Sequence, residues 1–147
     1  MEQVDQVDIL LVEDNPMDAE LTIHGLQSDK LANRITWLKD GEEALNFLFR
    51  RGEFEHRADS HPRIVILDLK MPRVDGLEVL REMKSNESTR RIPVVMLTSS
   101  QEESDLIKSY NLGVNSYVVK PLNFKSMTEV IRQAGFYWMA VNCAPPH

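Results

Sequence analysis

The sequence predicts an α/β fold, a doubly wound five-stranded parallel sheet with five helices. Three observations predict it. Five short apolar runs alternate with longer amphipathic stretches along the chain, the pattern of repeated βα units. Runs such as Ile64-Val65-Ile66-Leu67 are apolar without alternation, which suits parallel strands buried on both faces. Right-handed crossovers wind such units onto one sheet, and five units leave it open, because a closed parallel barrel takes about eight.

Each element has a local signal. Ile9–Val12 is the first strand. The helix after it spans Asn15–Ser28, with Asn15 as N-cap and Pro16 in the first helical position, where a missing N–H is harmless. Arg34–Leu38 is the second strand, and Gly41–Arg50 carries Ala44, Leu45, Leu48 and Phe49 at helical spacing. Ile64–Leu67 is the third strand. Asp75–Lys84 holds Leu77, Val79, Leu80 and Met83 on one helical face. Ile92–Leu97 is the fourth strand, Gln101–Leu112 the fourth helix, and Tyr117–Val119 the fifth strand. From Asn123 the set Phe124, Met127, Val130, Ile131, Ala134, Tyr137, Trp138 and Val141 makes a fifth amphipathic helix. The segment Arg51–Pro62, RGEFEHRADSHP, is long, polar and charged, and reads as a surface excursion.

Composition narrows the function. The chain has 147 residues, 42% of them hydrophobic and 27% charged, which is ordinary for one soluble domain. A net charge of −6 argues against nucleic acid and against anionic membrane surfaces, both of which recruit Lys and Arg clusters. Apolar runs such as Val94–Leu97 fall far short of the roughly 20 residues of a membrane span. The start, Met1-Glu2-Gln3-Val4-Asp5, is acidic and does not read as a signal peptide. The single cysteine, Cys143, cannot make an internal disulfide, so the expected compartment is the cytoplasm.

In an open α/β sheet, ligands bind beyond the carboxyl ends of the strands. Glu13 and Asp14 follow the first strand, Asp68 the third, Thr98 the fourth, and Lys120-Pro121 the fifth. Taken singly, each has an ordinary explanation. Asp14 suits a helix cap, Asp68 a loop carboxylate, Thr98 an N-cap run before the fourth helix, and Lys120 a surface cation. One site accounts for all of them together. Two carboxylates roughly 4 Å apart repel by about 4 kcal/mol at an effective dielectric of about 20, and a divalent cation relieves that. All-oxygen ligands suit Mg²⁺, which takes its remaining ligands from water and phosphate. A carboxylate beside Mg²⁺ is also a nucleophile for phosphorus, giving an aspartyl phosphate.

The runs LLVEDNP, ILDLKMPRVDG, MLTSS and VKP, in that order and spacing, resemble the receiver domain of two-component response regulators. The likeness runs from about Val7 to Met139, so 1–147 reads as a single domain with a short tail over 140–147. It implies the flavodoxin-like receiver fold with strand order 2-1-3-4-5. It implies Asp68 as phosphoacceptor, with Asp14, Asp68 and the backbone carbonyl of Lys70 on Mg²⁺ and Glu13 helping through water; Mn²⁺ substitutes for Mg²⁺. Thr98 and Lys120 contact the phosphoryl group, Tyr117 is the aromatic switch, and Pro121 carries a cis peptide, an isomer inexpensive only before proline. The implied protein is no ordinary enzyme. It transfers phosphate to itself from a sensor histidine kinase, loses it again, and signals through helix four, strand five and helix five.

A narrower resemblance is to single-domain regulators of phytochrome-type sensor kinases. It rests on the enlarged loop over Asn46–Pro62, the Phe136-Tyr137-Trp138 run and the proline-bearing tail over Asn142–Pro146. The chain reads as ending where the receiver ends, so output is expected through binding, or through phosphate relayed to a downstream protein.

Three rivals are weighed against the residues. A flavodoxin-like FMN carrier needs Ser, Thr and Gly after the first strand, where this chain has Glu13-Asp14-Asn15-Pro16. A haloacid-dehalogenase-type phosphatase carries a second Asp two residues after its nucleophile, where this chain has Lys70. A receiver-fold scaffold without phosphotransfer has no need of the full Asp14, Asp68, Thr98 and Lys120 set. Finally, consecutive helical residues point about 100° apart, so Phe136, Tyr137 and Trp138 cannot all face one core. The exposed one is expected to mark a symmetric homodimer contact.

Overall fold

The computed structural model describes residues 8–27, 34–57, 61–121 and 123–136. Its strands are β1 (Ile9–Val12), β2 (Ile35–Leu38), β3 (Ile64–Leu67), β4 (Val94–Thr98) and β5 (Ser116–Val119). All pair in parallel, in the order β2-β1-β3-β4-β5. The helices are α1 (Pro16–Gln27), α2 (Gly41–Leu48), α3 (Gly76–Ser85), α4 (Glu103–Asn111) and α5 (Phe124–Phe136). The expected doubly wound order is therefore present.

The non-alternating strand sequences produce two cores. Successive strand side chains point to opposite faces. Leu10, Val12, Val65, Leu67, Val94 and Met96 pack with Ala44, Phe47 and Leu48 of α2 and Val79, Leu80 and Met83 of α3. Ile9, Leu11, Ile64, Ile66, Val95 and Leu97 pack with Ala19 and Leu26 of α1 and Met127 and Ile131 of α5. Side-chain caps start four of the helices. Asn15, Asp40, Asp75 and Asn123 each accept from the backbone N–H three residues on, at 2.8–3.1 Å, satisfying donors that have no partner inside the helix. At α4 the N-cap residue Glu102 makes no side-chain cap.

Several boundaries differ from the sequence reading. The β4 ladder begins after Pro93, which has no N–H to give, and continues through Thr98, paired with Val119. Thr98 is thus the last residue of a strand, not part of a capping run. The fourth helix starts at Glu103 rather than Gln101, with Glu102 at its N-cap; the Ser100 hydroxyl before it donates to Asp105 and accepts from the Glu102 N–H at 3.4 Å. The polar excursion is anchored. A 3₁₀ turn over Gly52–Phe54 sets the Phe54 ring edge-on to Phe47, with centroids 5.2 Å apart. Arg57 lies over the Phe47 ring and donates to the Phe47 carbonyl at 3.0 Å.

No peptide among the described residues is cis, so Lys120–Pro121 is trans, contrary to the expectation for Pro121. The isomers of an X-Pro bond differ by only about 0.5–1 kcal/mol, so sequence alone leaves the choice open. The Phe136 side chain, Tyr137, Trp138 and the tail lie outside what is described.

Two glycines let the segment after β3 close on the sheet edge. A Cβ on Gly76 would stand 2.2 Å from the Asp68 carbonyl oxygen, and one on Gly41 would stand 2.0 Å from that of Val74. Both obstacles are backbone and cannot swing aside. Gly76→Ala and Gly41→Ala should each lower stability by about 1–3 kcal/mol, the usual range for overpacking, seen in urea unfolding as an earlier midpoint at unchanged slope.

Candidate functional site

Strand register builds the site. Val12 is paired with Leu67, so the next residues, Glu13 and Asp68, emerge side by side. The Asp68 N–H donates to the Val12 carbonyl at 3.0 Å, and the Lys120 N–H donates to the Thr98 carbonyl at 2.7 Å. Adjacent parallel strands thereby deliver Glu13, Asp68, Thr98 and Lys120 to one edge. Asp14, one residue further on, is exposed. Oxygens of Glu13, Asp14 and Asp68 all lie within 4.8 Å of one another.

Lys120 is the counterweight. Its ammonium donates to Glu13 Oε1 at 2.6 Å, to Asp18 Oδ2 at 3.0 Å and to Asp68 Oδ2 at 3.3 Å. The second Glu13 oxygen accepts from the Asn15 N–H at 3.1 Å, and the Glu13 carbonyl accepts from Trp37 Nε1 at 2.8 Å. Glu13 and Asp68 are buried, and only 9% of the Lys120 side chain is exposed. Burial pushes Glu13 up to about 7; the Lys120 hydrogen bond opposes that rise and the Asp68 charge adds to it. For Lys120, burial by itself lowers the pKa. The hydrogen bond to Glu13 and the charges of Asp68 and Glu13 overcome it and hold the group above the ordinary lysine range. One ammonium among several carboxylates stays charged, while the most buried of those carboxylates can keep a proton.

Thr98 is fully buried, and its Oγ1 accepts from the Ser100 N–H at 3.2 Å. Tyr117 is half-buried, and its hydroxyl donates to the Ser100 carbonyl at 3.1 Å. The Lys70 ammonium faces α4, 3.5 Å from Asp105 Oδ2. The site therefore brings together Glu13, Asp14, Asp68 and Lys120, with Thr98 beside Lys120 and Tyr117 linked through Ser100.

Sequence reasoning missed Asp18, Trp37, Ser100 and Asp105. Asp18 had a signal: it lies one helical turn beyond Asp14, in the first turn of a helix opening at the rim, where anions are favoured. Nothing in the local sequence pointed to Trp37 or Asp105.

The response regulator receiver domain model matches residues 9–132. The chain belongs to the response regulator receiver family. Among relatives of this receiver, the probable methanogenesis regulatory protein FilR2 of Methanothrix harundinacea is 41% identical over 99% of this chain and 92% of its own. Response regulator Rcp1 of Synechocystis is 39% identical over 93% and 92%. Solved structures agree. The phosphorylated cyanobacterial phytochrome response regulator RcpA superposes with a TM-score of 0.89 at 35% identity, covering 96% of this chain and 99% of that one. The Mn²⁺-bound form of Rcp1 gives 0.88 at 38%, covering 94% and 98%. The bacteriophytochrome response regulator RtBRR gives 0.76 at 50%, covering 96% and 85%. The receiver is thus a phosphoacceptor signalling protein, homologous to phytochrome response regulators. Its acidic cluster fits a divalent metal: the donors are all oxygen, as hard cations require.

A pH dependence follows for the metal-free receiver. Glu13 titrates near 7 when folded and near 4.5 otherwise, so the folded state binds the extra proton between those values. Its contribution to stability is present below about 4.5 and lost as pH rises through about 7. Urea unfolding in chelator should show stability falling from pH 5 to pH 8, and Glu13→Gln should flatten that slope. An unchanged slope in the variant would remove Glu13 as its source.

Proposed function

We propose that Asp68 accepts the phosphoryl group and that the donor is the phosphohistidine of a phytochrome-type sensor kinase. One observation carries this reading: three carboxylates within 4.8 Å at the sheet edge, with the Lys120 ammonium 3.3 Å from Asp68. An Asp68 oxygen attacks phosphorus, a P–O bond forms and the P–N bond breaks. The departing imidazole nitrogen takes the electron pair, and a ring protonated at its other nitrogen leaves neutral.

Glu13, Asp14, Asp68 and the Lys70 carbonyl would hold Mg²⁺, with Mn²⁺ as substitute and Glu13 acting through water. Bound there, the cation neutralises phosphoryl charge and relieves the carboxylate repulsion. The Lys120 ammonium moves from its carboxylates onto a phosphoryl oxygen. The Thr98 hydroxyl donates to another, and Tyr117 follows it inward, biasing a two-state loop. Hydrolysis of the acyl phosphate resets the receiver. Exposed Leu106, Ile107 and Tyr110 on α4 and Val119 on β5 support an output surface over α4, β5 and α5.

The phytochrome-type input is supported by 35–50% identity to regulators named for phytochromes. The 41% identity to FilR2 favours a second reading, the same phosphotransfer driven by another stimulus. A phosphotransfer profile against the host's histidine kinases separates the two. Cytoplasmic residence fits the charge and the phosphodonor; among the described residues no helix is long and apolar enough to cross a membrane. A homodimer through Phe136, Tyr137 and Trp138, 1–147 as one domain, and a downstream relay or output protein complete the proposal on sequence grounds. Sedimentation before and after phosphorylation tests the dimer.

With a small phosphodonor and Mg²⁺, intact mass should rise by one phosphoryl group, and Asp68→Asn should abolish the rise. An adduct that persists in that variant would overturn Asp68 as acceptor. Lys120→Ala should keep metal binding yet slow phosphorylation by about 10²-fold, the scale of losing one preorganised contact to developing charge.

A further inference from the structure

The helix α4 is attached unlike the other four. It buries only Asp105 and Ser109, both polar, and Ser109 donates to the Asp105 carbonyl of its own helix. Leu106, Ile107 and Tyr110 point to solvent. Helices α2 and α3, on the same side of the sheet, bury three apolar side chains each in the core. What ties the start of α4 to the body is therefore the Asp105 carboxylate. Only 5% of Asp105 is exposed. Its Oδ2 accepts from the Ser100 hydroxyl at 2.6 Å, the length of a charge-assisted O–H···O⁻ bond. The same oxygen faces the Lys70 ammonium at 3.5 Å. The Ser100 hydrogen bond, aided by Lys70, holds the Asp105 carboxyl below its usual range against the effect of burial.

Ser100 in turn has every polar group committed. Its N–H donates to Thr98 Oγ1, its hydroxyl to Asp105, and its carbonyl accepts from the Tyr117 hydroxyl. Thr98 and Tyr117 are thereby linked to α4 through Ser100, and any rearrangement that carries the Ser100 turn with it strains the Ser100–Asp105 bond. Lys70 adds a second tether, from the loop that follows Asp68.

We propose that Asp105 is a positioning residue, a polar latch joining α4, the Ser100 turn and the Lys70 loop, which holds the receiver in its unphosphorylated arrangement and opposes phosphorylation of Asp68. The inference rests on the reading of Asp68 as phosphoacceptor. An element with few buried apolar contacts opens at low free energy, so a single part-buried, charge-assisted hydrogen bond can set its population. Weakening the latch enlarges the fraction of molecules ready for a phosphoryl group, and apparent affinity rises by that factor.

The probe is beryllium trifluoride with Mg²⁺, a phosphoryl mimic, titrated into the full chain. Asp105→Asn and Ser100→Ala should each bind the mimic about tenfold more tightly than wild type, with Mg²⁺ affinity in the absence of fluoride unchanged within about twofold. The double variant should gain little over either single one, because both act on one bond: Asp105→Asn removes its charge and Ser100→Ala removes its donor. Hydrogen exchange over Glu103–Asn111 in the unliganded variants should quicken, while that over α3 stays as in wild type. Wild-type affinity for the mimic in a folded Ser100→Ala would overturn the latch, as would tighter binding that adds fully in the double variant. Should Asp105→Asn fail to fold, Ser100→Ala carries the test. If wild type itself does not bind the mimic, the reading of Asp68 fails rather than the latch.

Discussion

Everything at the functional edge depends on the Lys120 ammonium. Glu13, Asp14 and Asp68 are held close by strand register, and such crowding is unfavourable unless positive charge sits among them. Lys120 arrives from β5, the far edge of the sheet, and spans to β1 and α1 through Glu13 and Asp18. It can do so because β4 and β5 are paired to their ends and its aliphatic stem is buried. The arrangement is balanced but not saturated. Several carboxylates share one cation, which leaves room for a divalent metal and, with it, a phosphoryl group.

The rest of the fold serves that balance in two ways. The two apolar layers fix strand register, and register fixes which residues lie beside one another at the edge. Close-packed glycines keep the segment after β3 tight against Asp68: Gly76 admits the Asp68 carbonyl, and Gly41 admits that of Val74. In the same segment Arg73 adopts a positive φ of 66°, a conformation disfavoured for a residue with a Cβ. Its guanidinium lies 3.6 Å from Glu42 and 3.9 Å from Asp40, so the strained turn is tethered to the start of α2. The side of the site that holds Asp68 is thus rigid, whereas the side that carries Thr98, Ser100 and α4 is held by polar contacts. A firmly packed Asp68 beside a helix held by polar contacts suits a signalling protein, where one side of the site must be positioned and the other must be able to move.

How much of this was legible in the sequence varies with range. The strands were legible because parallel strands buried on both faces leave uninterrupted apolar runs. The rim residues were legible because open α/β sheets bind ligands at strand ends, so Glu13, Asp14, Asp68, Thr98 and Lys120 could be read off the residues after each run. Their spacing, shared with response regulators, supplied roles that composition could not. Helix four starts two residues later than Ser99-Ser100 suggests, because the Ser100 turn stays outside the helix, bonded to Thr98, Tyr117 and Asp105, and Glu102 takes the N-cap position. The excursion after α2 reads as surface because it is polar and charged, and its composition does not show that Phe54 and Arg57 fasten it to Phe47.

The sequence by itself determined the fold class, the strand order through its family resemblance, and the residues at the carboxyl edge. The fold class and the edge residues follow from periodicity and from the residues after each apolar run, which are local properties of the chain; the strand order came with the resemblance. Tertiary structure alone decided that Asp18 joins Glu13 and Asp68 around Lys120, that Trp37 holds the Glu13 carbonyl, and that Asp105 binds Ser100 and Lys70. It also decided that the peptide before Pro121 is trans. Each of these depends on groups brought together by packing, or on small energy differences that surroundings tip, and neither leaves a mark in a linear pattern.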